Sequence, residues 1–121
     1  MQFNFSIEEH KSQFHKSVVT FIKDNFSLFK VIQEFPIKID HHNLFVDICI
    51  TSPIKLIIEI NPRQHYEFIP YFHQTQANFK HSQMLDVMKI KWAEMNGYSV
   101  LILKEEDFPE GFQKKLKNIL E

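Results

Sequence analysis

Two short apolar runs, separated by a brief polar break, constrain the fold of this chain most strongly. Residues 44–50 (LFVDICI) and 54–60 (IKLIIEI) are rich in isoleucine and valine, and Thr-Ser-Pro lies between them. β-Branched residues favour strands, and a break that contains serine and proline favours a turn. The sequence therefore predicts a β-hairpin. Each of its strands carries one carboxylate, Asp47 on the first and Glu59 on the second.

The flanking sequence predicts helices on either side of this hairpin. In residues 13–25, apolar residues recur at the spacing of one helical face, and residues 77–96 have a similar pattern that ends at Asn96-Gly97. Residues 30–39 read as an extended segment that Pro36 places at an edge or a bulge. Residues 98–103 predict a further strand and residues 112–120 a short amphipathic helix.

This order of elements predicts an α/β fold. It has a small mixed sheet of about four strands flanked by helices, in a single domain over residues 1–121. The long helix before the last strand permits a parallel crossover connection.

Composition excludes several classes of function. With 2 glycines the chain has no Gly-rich phosphate loop, and with 1 cysteine it has neither an internal disulfide nor a Cys-rich zinc module. A net charge of −1 argues against coating nucleic acid by bulk charge. No apolar run approaches the ~18 residues that a membrane span needs, and the first residues lack the order of a signal peptide. We therefore expect a cytoplasmic protein, or a nuclear one if the host is a eukaryote.

The two strand carboxylates are the first candidates for chemistry. If the turn centres near Ser52, Asp47 lies opposite Ile57 and diagonal to Glu59, with Cβ atoms about 7–8 Å apart. Two acids that converge in this way suit a hard divalent cation such as Mg²⁺. The alternative is that both acids lie at strand ends and face solvent.

Several short motifs, taken in order, resemble the PD-(D/E)xK nuclease superfamily, in particular the branch similar to very-short-patch-repair endonucleases. That branch has a strand Asp, a strand Glu, Gln-His-Tyr, a helix with Gln-x-x-Asp-x-x-Lys, and a turn before an apolar strand. The matching residues here are Asp47, Glu59, Gln64-His65-Tyr66, Gln83, Asp86, Lys89 and Asn96-Gly97. The resemblance covers residues 35–103.

This resemblance implies a restriction-endonuclease-like core and metal-dependent hydrolysis of DNA, with RNA left open. Asp47 and Glu59 would hold Mg²⁺ or Mn²⁺, His65 would move protons, and Lys89 or Asn61 would steady charge on the phosphate. In so short a chain, specificity would come from DNA shape, a homodimer or a partner protein.

Two departures from the family pattern support an alternative. Asn61 stands where the family has Asp or Lys, and Pro62 where it usually has Gly. An Asn side chain carries no charge. The alternative is a nuclease-fold module with weakened or lost catalysis, which binds nucleic acid or a protein partner.

Further residues have both a functional and a structural interpretation. Asp86 and Lys89 share a helix face, either as a surface ion pair or as ligands of metal and phosphate. Gln64 belongs to the loop motif. The resemblance also implies a residue of the first helix aimed at the active site, for which Glu8, Glu9 and His15 are the nearest candidates. His41, His42 and His73 raise a weaker possibility of bound Zn²⁺, although an exposed turn explains the first two. Cys49 reads as a small core residue.

Overall fold

The computed structural model describes the backbone of residues 2–61 and 76–121, and the side chains of residues 12–60 and 76–121. Its elements follow in chain order: α1 (Gln2–Asn25), β1 (Lys30–Ile39), β2 (His42–Ser52), β3 (Leu56–Asn61), α2 (Gln76–Met95), β4 (Ser99–Lys104), a 3₁₀ turn (Glu105–Asp107) and α3 (Gly111–Leu120). The predicted order of elements is confirmed. α1 begins at Gln2, earlier than the predicted residue 13. The sequence did not predict this start, because the apolar residues Phe3, Phe5 and Ile7 are spaced by two, which is not the spacing of a helix face.

The described strands form one mixed sheet in the order β1-β2-β3-β4. β1, β2 and β3 pair antiparallel, whereas β3 and β4 pair parallel, with α2 in the connection between them. The predicted mixed α/β architecture and the hairpin are therefore confirmed. β1 is an edge strand, which is where Pro36, with no N–H to donate, is tolerated.

One layer of core packs α1 and α3 against the sheet. Both helices present apolar residues at intervals of four, the spacing that places them on one face. Their buried side chains are Phe14, Val18, Ile22, Phe112, Leu116 and Leu120. These cover the fully buried Ile48 of β2 and Ile58 of β3.

The second layer packs α2 against the opposite side of the sheet. Ala93 of α2 is fully buried against Val46, Cys49 and Ile57, with Trp92 beside them. Among the described residues, none of the helices is both long enough and apolar enough to cross a membrane.

Alternation of side chains along β2 reverses at Asp47. Val46 belongs to the α2 layer and Ile48 to the α1 layer, although strict alternation would place both on one face. The partner strand shows an irregularity at the same level. Glu34 has a left-handed φ of 50° and lies between the pairs Gln33↔Ile48 and Phe35↔Val46. Asp47 therefore lies at a break in the alternation of β2, with its two apolar neighbours in opposite layers of the core.

A glycine ends α2 and directs the chain into β4. Gly97 has φ of 78°, Tyr98 N–H donates to Ala93 O at 2.8 Å, and Gly97 N–H donates to Glu94 O at 3.5 Å. This is the hydrogen-bond pattern of a Schellman cap, for which glycine is preferred at the left-handed position. Asn96-Gly97 therefore stops the helix as predicted and sets where β4 begins.

Candidate active site

The two strand acids lie directly across from each other where β2 and β3 separate. The ladder pairs Ile48 with Ile58 and Cys49 with Ile57, so the next position outward brings Asp47 opposite Glu59. The expected register, with Asp47 opposite Ile57, is therefore wrong by two residues. The reason is that β2 continues through Ser52 and the turn comes after it.

Each acid accepts a hydrogen bond from the backbone of the facing strand. Asp47 N–H donates to Glu59 Oε2 at 2.7 Å, and Ile60 N–H donates to Asp47 Oδ2 at 2.8 Å. These bonds replace strand-to-strand pairing beyond Ile48, and they fix both side chains. Because a buried N–H without an acceptor is costly, the carboxylates also have a structural role at this fork.

Both acids are deeply buried, which excludes the solvent-facing alternative. Asp47 is 8% exposed and Glu59 is 7% exposed. An ionised carboxylate at such a position requires a compensating charge or strong hydrogen bonds. Neither β2 nor β3 contains a lysine, so the compensating positive charge has to come from another element.

α2 supplies this compensating charge through Lys89. Lys89 Nζ lies 2.8 Å from Glu59 Oε1, and the two side chains are 17% and 10% exposed. The sequence offered Lys89 as the partner of Asp86 in a surface ion pair. In the structure Lys89 instead points to the sheet and pairs with Glu59. Asp86 adds to the field at Lys89, and it lines a cavity together with Lys89 and Glu59.

The pKa values of Glu59 and Lys89 are both raised. Burial and then the nearby Asp47 charge raise the pKa of Glu59 above its ordinary 4.5, and Lys89 offsets this only in part. Burial lowers the pKa of Lys89, but Glu59, Asp47 and Asp86 together raise it more, so the net direction from 10.5 is upward. Glu59 thus holds its proton more tightly than a solvated glutamate does, and Lys89 stays an ammonium ion.

Two cavities adjoin the Glu59–Lys89 pair. A void of about 20 Å³ is lined by Ile57, Glu59 and Lys89 among others, enough for about one water molecule. A second, wider cavity of about 280 Å³ lies between β2 and α2 and is open to solvent. Its lining includes Phe45, Asp86 and Lys89. A ligand can therefore approach the lysine from outside.

His15 approaches the acids from the α1 side. Ligand atoms of His15, Glu34 and Asp47 all lie within 4.8 Å of one another. His15 was a candidate from the sequence, whereas Glu34 was not. A strand pattern does not reveal Glu34, because its left-handed backbone breaks the alternation that would have placed it.

The remaining predicted residues are not brought into this cluster by what the structure describes. Asn61 is the last residue of β3 and pairs with Lys104, and its side chain is outside the described residues. Pro62, Gln64 and His65 also lie outside the described residues.

Other candidates have structural positions. Gln83 is exposed on α2, and Cys49 is fully buried in the core as expected, in a cluster against which Tyr98 packs. His42 Nδ1 lies 3.0 Å from Asp40 O in the turn between β1 and β2. His41 is exposed in the same turn, and His73 is outside the described residues.

The donor set suits a hard divalent cation. Asp47 and Glu59 offer carboxylate oxygens, the ligands that Mg²⁺ prefers, and each oxygen that accepts one hydrogen bond has a second lone pair. The effect of Asp47 on the pKa of Glu59 shows that the two carboxylates repel each other. A cation between them would relieve this repulsion. Lys89 is the positive charge that would have to share Glu59 with it.

The sequence has a similarity to a viral protein, but not to a known family model or a solved structure. The chain is similar to uncharacterized protein 307L of Invertebrate iridescent virus 6, with 34% identity over 77 residues. The match covers 62% of this chain and 39% of the length of the viral protein. The chain is thus similar to part of a larger viral protein.

Proposed function

We propose that this chain is a metal-dependent endonuclease that hydrolyses phosphodiester bonds in DNA, with a restriction-endonuclease-like core. The observation that carries the proposal is the convergence of Asp47, Glu59 and Lys89 at the point where β2 and β3 separate. Two acids and a lysine beside an open cavity are a charge arrangement suited to a phosphodiester. The order of motifs from Asp47 to Asn96-Gly97 supports the same class.

Asp47 and Glu59 would hold Mg²⁺ or Mn²⁺. Such an ion, when bound, supplies an activated water and stabilises negative charge on the phosphate. The buried backbone hydrogen bonds of the two carboxylates keep them in place, so little reorganisation is required for binding.

Lys89 would contact a phosphate oxygen of the substrate. Its ammonium group is fixed by Glu59, and the wider cavity gives access to it from solvent. With Glu59 engaged by a cation, Lys89 would be free of that carboxylate and could contact the phosphate. Lys89 would thereby provide the positive charge that other members of the superfamily obtain from a lysine at the position of Asn61. His65 is proposed to transfer protons, and Asn61 to assist at the phosphate.

Nicking of supercoiled plasmid DNA tests this proposal. Wild type should nick in Mg²⁺ or Mn²⁺ and not in EDTA. Asp47→Asn, Glu59→Gln and Lys89→Met should each reduce the rate by about 10²–10³-fold, the loss typical for one preorganised electrostatic group. Circular dichroism confirms that each variant is folded. If Asp47→Asn and Glu59→Gln both nick DNA at the wild-type rate, the proposed site is excluded.

A second acid–lysine pair provides the matched control. Asp107 is buried, and its Oδ1 lies 3.0 Å from Lys115 Nζ. Asp107→Asn and Lys115→Met change the same chemical groups in a pair that shares no residue with the Asp47, Glu59 and Lys89 cluster. Both variants should nick at the wild-type rate.

One observation favours the alternative of a non-catalytic nucleic-acid-binding module. The Lys89–Glu59 pair already neutralises one buried acid without a metal ion. If the protein only binds, fluorescence anisotropy with labelled DNA should show equal affinity in EDTA and in Mg²⁺, and no cleavage should accompany it. Nicking that requires Mg²⁺ or Mn²⁺ would support the endonuclease and exclude the non-catalytic module.

A further inference from the structure

His15, Glu34 and Asp47 come from three different elements and converge beside the acid pair. His15 lies on α1, Glu34 on β1 and Asp47 on β2, and one ligand atom of each lies within 4.8 Å of the others. Ligands bound to one ion at about 2.0–2.2 Å lie roughly 3–4 Å apart. Small side-chain movements are therefore enough to bring all three onto one cation.

The three side chains differ in how they are held. Asp47 is 8% exposed and is fixed by the Ile60 N–H, whereas Glu34 is exposed and His15 is partly buried. His15 Nε2 lies 3.0 Å from Gln33 Oε1, and an acceptor beside one ring nitrogen orients an imidazole that binds metal. Asp47 is thus the rigid ligand of the cluster and His15 the oriented one. Glu34 is the ligand that an ion can reach from solvent.

Charge at this cluster also favours a cation. Glu34 and Asp47 are two carboxylates facing one imidazole. Within the part of the chain that the structure describes, the exposed Glu34 forms no ion pair with a lysine or arginine. Lys89 contacts the acid pair through Glu59 instead.

We propose that His15, Glu34 and Asp47 form a binding site for a first-row transition-metal cation such as Mn²⁺ or Co²⁺. One nitrogen and two carboxylate ligands distinguish this site from an all-oxygen site, because imidazole suits transition metals better than Mg²⁺. The site shares Asp47 with the acid pair and does not include Glu59 or Lys89. It requires neither DNA nor cleavage, so it does not rest on the proposed nuclease activity.

Metal binding measured directly tests this site. Co²⁺ is titrated into the full chain, with calorimetry for affinity and visible absorption for nitrogen coordination. His15→Ala and Glu34→Gln should each weaken Co²⁺ binding at least about tenfold, since even residues that only support a ligand contribute that much. Both should also lower the visible absorption. Mg²⁺ should not compete for the site at equal concentration.

Two variants serve as controls. His42→Ala removes the histidine that begins β2, whose Nδ1 lies 3.0 Å from Asp40 O, and it should leave Co²⁺ affinity unchanged. Glu59→Gln should reduce nicking by about 10²–10³-fold and retain the Co²⁺ site, so failure of the nuclease proposal and failure of this one are distinguishable. Co²⁺ affinity and absorption that are unchanged in His15→Ala and Glu34→Gln would overturn the proposal, as would a wild-type chain that binds no Co²⁺ at millimolar concentration.

Discussion

Lys89 Nζ lies 2.8 Å from Glu59 Oε1, which joins the middle of α2 to the end of β3 through a largely buried ion pair. The sheet and the helix are thereby connected at the same place where β2 and β3 separate. This contact leads to predictions for stability, for pH dependence and for metal affinity.

Removal of Lys89 should destabilise the fold strongly. In Lys89→Met the Glu59 carboxylate loses its cation inside the protein, and breaking a buried pair in this way costs about 3 kcal/mol. In Lys115→Met the lysine is 48% exposed, and the cost should stay below about 1 kcal/mol. Urea unfolding at neutral pH gives both values. Equal losses in the two variants would contradict the prediction.

Glu59 should make the wild type relatively more stable in acid. Its folded-state pKa is raised, so the folded chain binds this proton more tightly than the unfolded chain does. The stabilisation is complete below the ordinary pKa of 4.5 and is lost as pH rises through the raised pKa.

Glu59→Gln isolates this contribution, because subtraction of the two stability curves cancels the ionisable groups that do not interact with Glu59. The free energy of unfolding of wild type minus that of Glu59→Gln should fall as pH rises from about 4 to about 8. Urea unfolding at several pH values measures it. A difference that is constant or grows with pH would show that the pKa of Glu59 is not raised.

Lys89→Met should have opposite effects on Mg²⁺ binding and on cleavage. Unit charges about 4 Å apart near a protein surface interact by about 4 kcal/mol, so loss of the ammonium should tighten Mg²⁺ binding by at least about tenfold. Cleavage should fall, because the phosphate loses its lysine. Calorimetry with Mg²⁺ and plasmid nicking measure the two effects. Weaker Mg²⁺ binding in Lys89→Met would mean that the lysine supports the metal site instead of competing with the ion.

The two glycines should respond to alanine in opposite directions. Gly97 has φ of 78°, and alanine there should destabilise the protein by about 1 kcal/mol, although no atom lies within 4 Å of the added methyl. Gly111 begins α3, and its added methyl meets Glu106 O at an ordinary 3.9 Å. Gly111→Ala should stabilise by about 0.5 kcal/mol, because it restricts the unfolded chain. Thermal unfolding of both variants checks the difference in sign.

Much of the architecture could be predicted from local patterns. The apolar spacing in α1 and α3, the runs that form β2 and β3, and the stop at Asn96-Gly97 all depend on residues close in the chain. The confirmed parallel connection follows from a long helix between two strands. The start of α1 was missed because Phe3, Phe5 and Ile7 do not follow helical spacing.

The candidate site was only partly predictable, since its contacts are between distant residues. The convergence of Asp47 and Glu59 was expected, but the register was wrong because the turn position decides it. Lys89 was selected as a residue for phosphate, and nothing in the strand sequence indicated that it would bind Glu59. Glu34 was missed because its backbone conformation is a tertiary property.

The reversal of side-chain direction at Asp47 has a consequence for how this acid is buried. Val46 packs in the α2 layer and Ile48 in the layer of α1 and α3, so the two neighbours of Asp47 are anchored on opposite faces of the sheet. The backbone of Asp47 is thereby clamped between two hydrophobic anchors, although its own side chain is an acid.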